Sequence, residues 1–168
     1  MQEIGRILEK KPGTFQRTLN GMVSEGILTS EYRANARFFK ANKKYPIYKE
    51  LKSIVFKTIG VQGSIKKALE EDGNIKFAFI YGSYAKAKES YLSDIDLVIV
   101  GNPDEDELID KLDRLEEKLQ REINYKLYTF KKLKDEVKNK EPFTLKILKG
   151  KKIILIGSEN ELRKISKK

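Results

Sequence analysis

The chain has 168 residues, 39% of them hydrophobic, with no cysteine, no histidine and a formal net charge of +10. That length suits one ordinary domain, or one domain with a small appendage; the composition excludes a disulfide framework, a thiolate metal site and histidine-based acid–base chemistry. No apolar run is long enough to cross a membrane and the first residues lack the apolar core of a signal peptide, so a cytoplasmic protein is expected.

The basic balance favours polyanionic partners such as nucleic acid or nucleotides, and it equally fits a solvated, Lys-rich surface. A charged fraction of 36% also fits a thermophile rich in surface ion pairs. Without cysteine or histidine, any metal must be held by oxygen ligands, which favours Mg²⁺ or Mn²⁺.

In chain order, residues 3–28 read as two short helices. The first spans about Glu3–Glu9, and Pro12-Gly13 punctuates the turn. Thr14 is expected as the N-cap of the second, in which Phe15, Leu19, Met22 and Val23 recur at helical spacing. Gly26 is expected to close it. From Leu28 to Phe39 an alternating, Arg-bearing stretch suggests a hairpin turning near Arg33-Ala34-Asn35. Residues 1–50 hold ten Lys/Arg against five Asp/Glu, so charge density is higher at this end. Pro46 breaks the linker that follows. Glu50 to about Glu71 reads as a long amphipathic helix, with Gly60 and Gly63 as its expected interruptions.

The pattern then shifts. A strand is expected over Ile75–Tyr81, a short helix over Ser83–Lys88 and a second strand over Asp94–Val100. Asn102-Pro103-Asp104 breaks the chain before a helix from Glu105 to about Arg121. A third strand, Glu122–Phe130, leads into a charged helix over 131–141. Phe143–Leu148 is a further helical turn, Lys152–Ile156 a last strand, and the tail from Ser158 a short basic helix or a frayed end.

The stretch from Gly82 to Leu97 is the most informative. A Gly82-Ser83 turn entering a helix brings backbone N–H groups and a hydroxyl close to an anion. Asp94 and Asp96, at i and i+2, point to the same side of a strand. Paired carboxylates on a rigid strand suit Mg²⁺, which is held by one or two carboxylates plus substrate phosphates. Alone, the Gly-Ser could be an ordinary turn and the Asp pair a solvated strand edge; order and flanking strands argue otherwise.

Gly82, Ser83, Ala85, Ser93, Asp94, Asp96 and Leu97 together resemble the signature of the DNA polymerase beta superfamily of nucleotidyltransferases. Ala87 departs from it, where many members have Gly. The likeness extends to Tyr45-Pro46-Ile47-Tyr48, Lys57-Thr58-x-Gly60, Arg121-Glu122-Ile123-Asn124 and Ile154-Leu155-Ile156-Gly157. It covers nearly the whole chain and looks like prokaryotic proteins that join a winged helix to a small nucleotidyltransferase domain.

The resemblance implies an α+β fold: a small mixed-sheet nucleotidyltransferase domain flanked by helices, preceded by a partial winged helix-turn-helix lacking its first helix. The expected domains are 1–46 for the winged-helix segment, 47–74 for a linking amphipathic helix and 75–168 for the nucleotidyltransferase. It also implies Mg²⁺-dependent transfer of a nucleoside monophosphate from a nucleoside triphosphate to a hydroxyl. Asp94 and Asp96 would hold metal, and Gly82, Ser83, Lys86 and Ser93 would line the nucleotide. The third carboxylate position aligns with Asn124, whose amide can ligate a cation but cannot serve as a base. Glu122, two residues earlier on the same strand face, is the candidate substitute. Lys86 and Lys88 could neutralise a triphosphate or simply be exposed. Tyr81 and Tyr84 could stack on a base or pack in the core. By analogy with winged helices, Thr14, Gln16, Arg17 and Asn20 would face duplex DNA, with Arg33, Asn35 and Arg37 on the wing. The alternative is a DNA-binding regulator, or an antitoxin-like partner of a helical toxin, with a degenerate nucleotidyltransferase domain. A homodimer would be common for a winged-helix protein.

Overall fold

The computed structural model describes residues 2–86, 88 and 93–166. The chain divides into two compact units, Met1–Val55 and Phe56–Lys168.

In the first unit, α1 (Gln2–Ile7) and α2 (Pro12–Ser24) precede an antiparallel hairpin of β1 (Leu28–Arg33) and β2 (Ala36–Ala41). Its turn falls at Ala34-Asn35, where expected, with Ala34 in the left-handed region at φ 48°. Thr14 is not the N-cap of α2. Lys11 occupies that position and Pro12 opens the helix, because the fixed φ of proline and its missing N–H suit the first turn. Gly26, at φ +77°, closes α2 as expected. The apolar centre is thin: Phe15 is buried, whereas Met22 and Phe38 are exposed.

The long helix expected over Glu50–Glu71 is two helices, α3 (Tyr48–Lys57) and α4 (Val61–Glu70). Gly60 caps α4, but Gly63 does not interrupt it. Gly63 instead permits the bend, since a Cβ there would lie 1.7 Å from the Thr58 carbonyl oxygen. The Ser64 hydroxyl donates to the Ile59 carbonyl at 3.0 Å and holds the same corner.

The second unit is an α+β fold around a mixed sheet in the order β5-β4-β3-β6. Its strands are β3 (Ile75–Ile80), β4 (Ile95–Gly101), β5 (Ile123–Tyr128) and β6 (Ile153–Ile156). β3 runs antiparallel to β4 and β6, and β4 runs parallel to β5. Phe79, Ile80, Leu97 and Val98 are wholly buried, as continuous apolar runs are when helices cover both faces of a sheet.

One face packs Ile80, Leu97 and Ile99 against Ile65 and Leu69 of α4 and Leu108, Leu112 and Leu115 of α6 (Glu105–Leu119). The other packs Phe79, Val98 and Tyr128 against α7 (Phe130–Lys138), α8 (Pro142–Lys149) and α9 (Glu159–Ser166). Asp104 caps α6 by accepting from the Glu107 N–H, and Thr129 caps α7 through the Lys132 N–H. Gln120, left-handed at φ 52°, ends α6. Strand β5 stops at Tyr128, so Phe130 opens α7 rather than ending the strand. Among the described residues, no helix is long and apolar enough to cross a membrane.

Candidate active site

One end of the sheet gathers the motif. Strand β3 leaves the sheet through Tyr81 into α5 (Gly82–Ala85), and β4 enters just after Asp94. The Tyr81 N–H donates to the Asp96 carbonyl at 2.9 Å, fixing the turn to the strand. Gly82 has φ +71°, and a Cβ built on it would lie 1.9 Å from Asp96 Oδ2. Only glycine fits this contact, so the Gly-Ser turn and the second aspartate form one unit.

Strand β5 supplies the other wall. Asn124 is the register partner of Asp96, and the Ile95 N–H donates to the Glu122 carbonyl at 2.8 Å. The entry to β5 is held by Glu116 of α6, whose carboxylate accepts from the Ile123 N–H at 2.5 Å. Sequence reasoning missed Glu116, since nothing distinguishes it among the other acidic residues of α6. Alternation along β5 puts Glu122 on the face of Asn124, where it is exposed.

Burial raises the carboxyl pKa of Asp96 above its ordinary value, and the neighbouring Asp94 charge adds to the shift. Among the described residues, neither carboxylate has a hydrogen-bond or salt-bridge partner. Two adjacent, unneutralised carboxylates are the hard-oxygen donors that a divalent cation takes. No group of three acidic, histidine or cysteine side chains placed to hold a metal occurs among the described residues. Asp94 and Asp96 are nevertheless two oxygen donors suited to such a cation, and Asn124 is the register partner of Asp96 on the adjacent strand β5.

Ser83 is half-buried, and its carbonyl accepts from the Lys86 and Lys88 N–H groups at 3.2 and 3.0 Å. Lys86 and Lys88 are exposed, Ser93 is half-buried and Asp94 is exposed. Ala87 lies outside the described residues. The two tyrosines separate. Tyr84 is buried and stacked on Phe56, with ring centroids 6.1 Å apart, so it belongs to the core. Tyr81 stands edge-on to Phe143 at 6.1 Å, and burial followed by the Asp96 charge raises its hydroxyl pKa. Sequence reasoning also missed Lys126, whose Nζ lies 3.8 Å from the Phe143 ring centroid.

In the first unit, Thr14, Gln16 and Arg17 are exposed on α2. Arg37 donates to Asn20 Oδ1 at 2.6 Å and to the Ser30 hydroxyl, and it lies over the Phe39 ring at 4.9 Å. It therefore braces the hairpin against α2. Arg33 pairs with Glu31 at 2.5 Å, and Asn35 is exposed at the turn.

Residues 63–160, more than half of the chain, match the family described as Polymerase beta, Nucleotidyltransferase. No curated protein matches. Among solved structures, a toxin-antitoxin complex with AMP-PNP shares 15% identity over 62% of this chain and 80% of that one, at TM-score 0.46. A complex of tri-AMPylated Shewanella oneidensis HEPN toxin with MNT antitoxin shares 14% over 62% and 76%, at 0.38. The toxin-antitoxin MntA-HepT shares 13% over 62% and 77%, at 0.40. At these TM-scores the likenesses carry no weight, and the assignment of the chain rests on the family match.

Proposed function

Because the chain belongs to the Polymerase beta nucleotidyltransferase family, we propose that it transfers a nucleoside monophosphate from a nucleoside triphosphate to a hydroxyl, with Mg²⁺ as the cation. The observation that carries this reading is the fit of Gly82 against Asp96 Oδ2, with Asp94 beside it and Asn124 in register. The acceptor oxygen would form a bond to the α-phosphorus, the bond to the β-phosphate oxygen would break, and pyrophosphate would leave. A cation held by Asp94 and Asp96 would neutralise phosphate oxygens and polarise the phosphorus. Gly82 carries no side chain, so the turn sits directly against the Asp96 carboxylate. Asn124 can orient the acceptor hydroxyl through its amide oxygen, but it takes no proton at that atom. The hydroxyl proton therefore passes to water, to Glu122 or to a base on the acceptor.

Asn124→Asp tests the reading. With labelled nucleoside triphosphates and a panel of acceptors, the variant is expected to transfer faster than the native protein. A positioned base contributes on the order of 10²–10⁴-fold, and the gain should approach the lower end. Undetectable transfer by both proteins with every acceptor tried would contradict the reading.

The helix–helix–hairpin order of the first unit, with Gln16 and Arg17 exposed on α2, supports a second role as a winged helix that contacts duplex DNA. Duplex affinity is then expected to fall steeply with salt, and Arg17→Ala should reduce the slope of log affinity against log salt by about 0.9. Absent or salt-independent binding in fluorescence anisotropy would contradict that role.

A further inference from the structure

We infer that Lys126 is a phosphate-contacting residue of this site, an assignment that rests on the nucleotidyltransferase reading above. Lys126 pairs in register with Val98, one residue pair along the same face from Asp96 and Asn124. Alternation along β4 and β5 puts Asp96, Asn124 and Lys126 on the same side of the sheet. The ammonium is held at the site by an aromatic wall. Its Nζ sits 3.8 Å from the Phe143 centroid, Phe143 meets the edge of Tyr81, and Tyr81 feels the charge of Asp96.

Among the described residues, no carboxylate pairs with Lys126 and no hydrogen bond uses its ammonium. Its charge is thus stored on a ring face, a weaker hold than a charge-assisted hydrogen bond to phosphate. The strand order β5-β4-β3-β6 also separates the charges of the site. Asp94 and Asp96 stand at the entry to β4; the β5 wall beside it carries neutral Asn124 and cationic Lys126, with exposed Glu122 just ahead of the strand. Lys126 lies across β4 from the Gly82 turn.

Phosphate could reach Lys126 from two sources, the donor triphosphate or an acceptor whose hydroxyl neighbours a phosphodiester. Its place across β4 from Gly82 favours the acceptor. The test is calorimetric titration of native protein, Lys126→Met and Lys126→Arg. One probe is Mg²⁺ with AMP-PNP; the other is a 5′-phosphorylated single-stranded trinucleotide added to protein saturated with Mg²⁺ and AMP-PNP. Loss of one charge-assisted contact is expected to weaken binding about tenfold in Lys126→Met, and Lys126→Arg should restore it to within about threefold. That pattern with the trinucleotide alone assigns Lys126 to the acceptor; with AMP-PNP it assigns Lys126 to the donor. Native binding that Lys126→Met leaves unchanged for both probes overturns the inference and leaves the Asp94–Asp96 site standing. A native protein that binds neither probe overturns both.

Discussion

Asp96→Asn is expected to lose metal-dependent triphosphate binding and transfer, yet to melt at a higher temperature than the native protein at neutral pH in metal-free buffer. The Asp96 carboxyl is pushed above its ordinary pKa, first by burial and then by the adjacent Asp94. A carboxyl whose pKa is raised on folding destabilises the folded state wherever it is ionised. The cost is fully present above the folded pKa and absent below the unfolded value of about 3.9. Asparagine keeps the shape and removes the charge, so the gain should appear at pH 7 and fade as the pH falls through the carboxylate range. Sites that hold like charges close together commonly give up stability for function in this way. Melting curves of both proteins at several pH values check it. An Asp96→Asn protein that melts lower than native at pH 7 would contradict the account of the pair.

Gly82→Ala is the second large effect. The position needs φ +71°, which costs an alanine about 1 kcal/mol. The added Cβ would also lie 1.9 Å from Asp96 Oδ2 and 2.9 Å from its carboxyl carbon, so the aspartate or the turn must move. Displacing a site group by about 1 Å can cost 10²-fold, and a loss of that order is expected in triphosphate affinity. Gly73→Ala is the control, since a Cβ there meets nothing within 4 Å. Titration should separate the two variants clearly. Equal affinities would show that the Gly82–Asp96 contact is irrelevant to the site.

The motif was legible because each member has a distinctive type in a tight spacing: a Gly-Ser after one apolar run, an Asp-x-Asp at the head of another. Strand types followed from short unbroken apolar runs such as Leu97–Val100, as expected of a sheet covered on both faces. Other features needed the fold. Thr14 looks like a cap by residue type, but Pro12 claims the first turn. Gly63 looks like a helix breaker, yet it serves a close approach to the Thr58 carbonyl that no local pattern encodes. Tyr81 and Tyr84 are alike in sequence and face opposite sides of the sheet in space. Lys126 is one of 35 basic residues; what distinguishes it is a ring contributed by α8, remote along the chain.

The most direct test of the central claim is calorimetric titration of a nucleoside triphosphate with Mg²⁺ into the native protein and into Asp94→Asn. Asp94 lies beside Asp96 outside the core, so its replacement should remove a cation ligand and leave the fold intact. The account predicts Mg²⁺-dependent binding by the native protein that disappears in the variant. Absence of binding by the native protein, or equal binding by both, would contradict it.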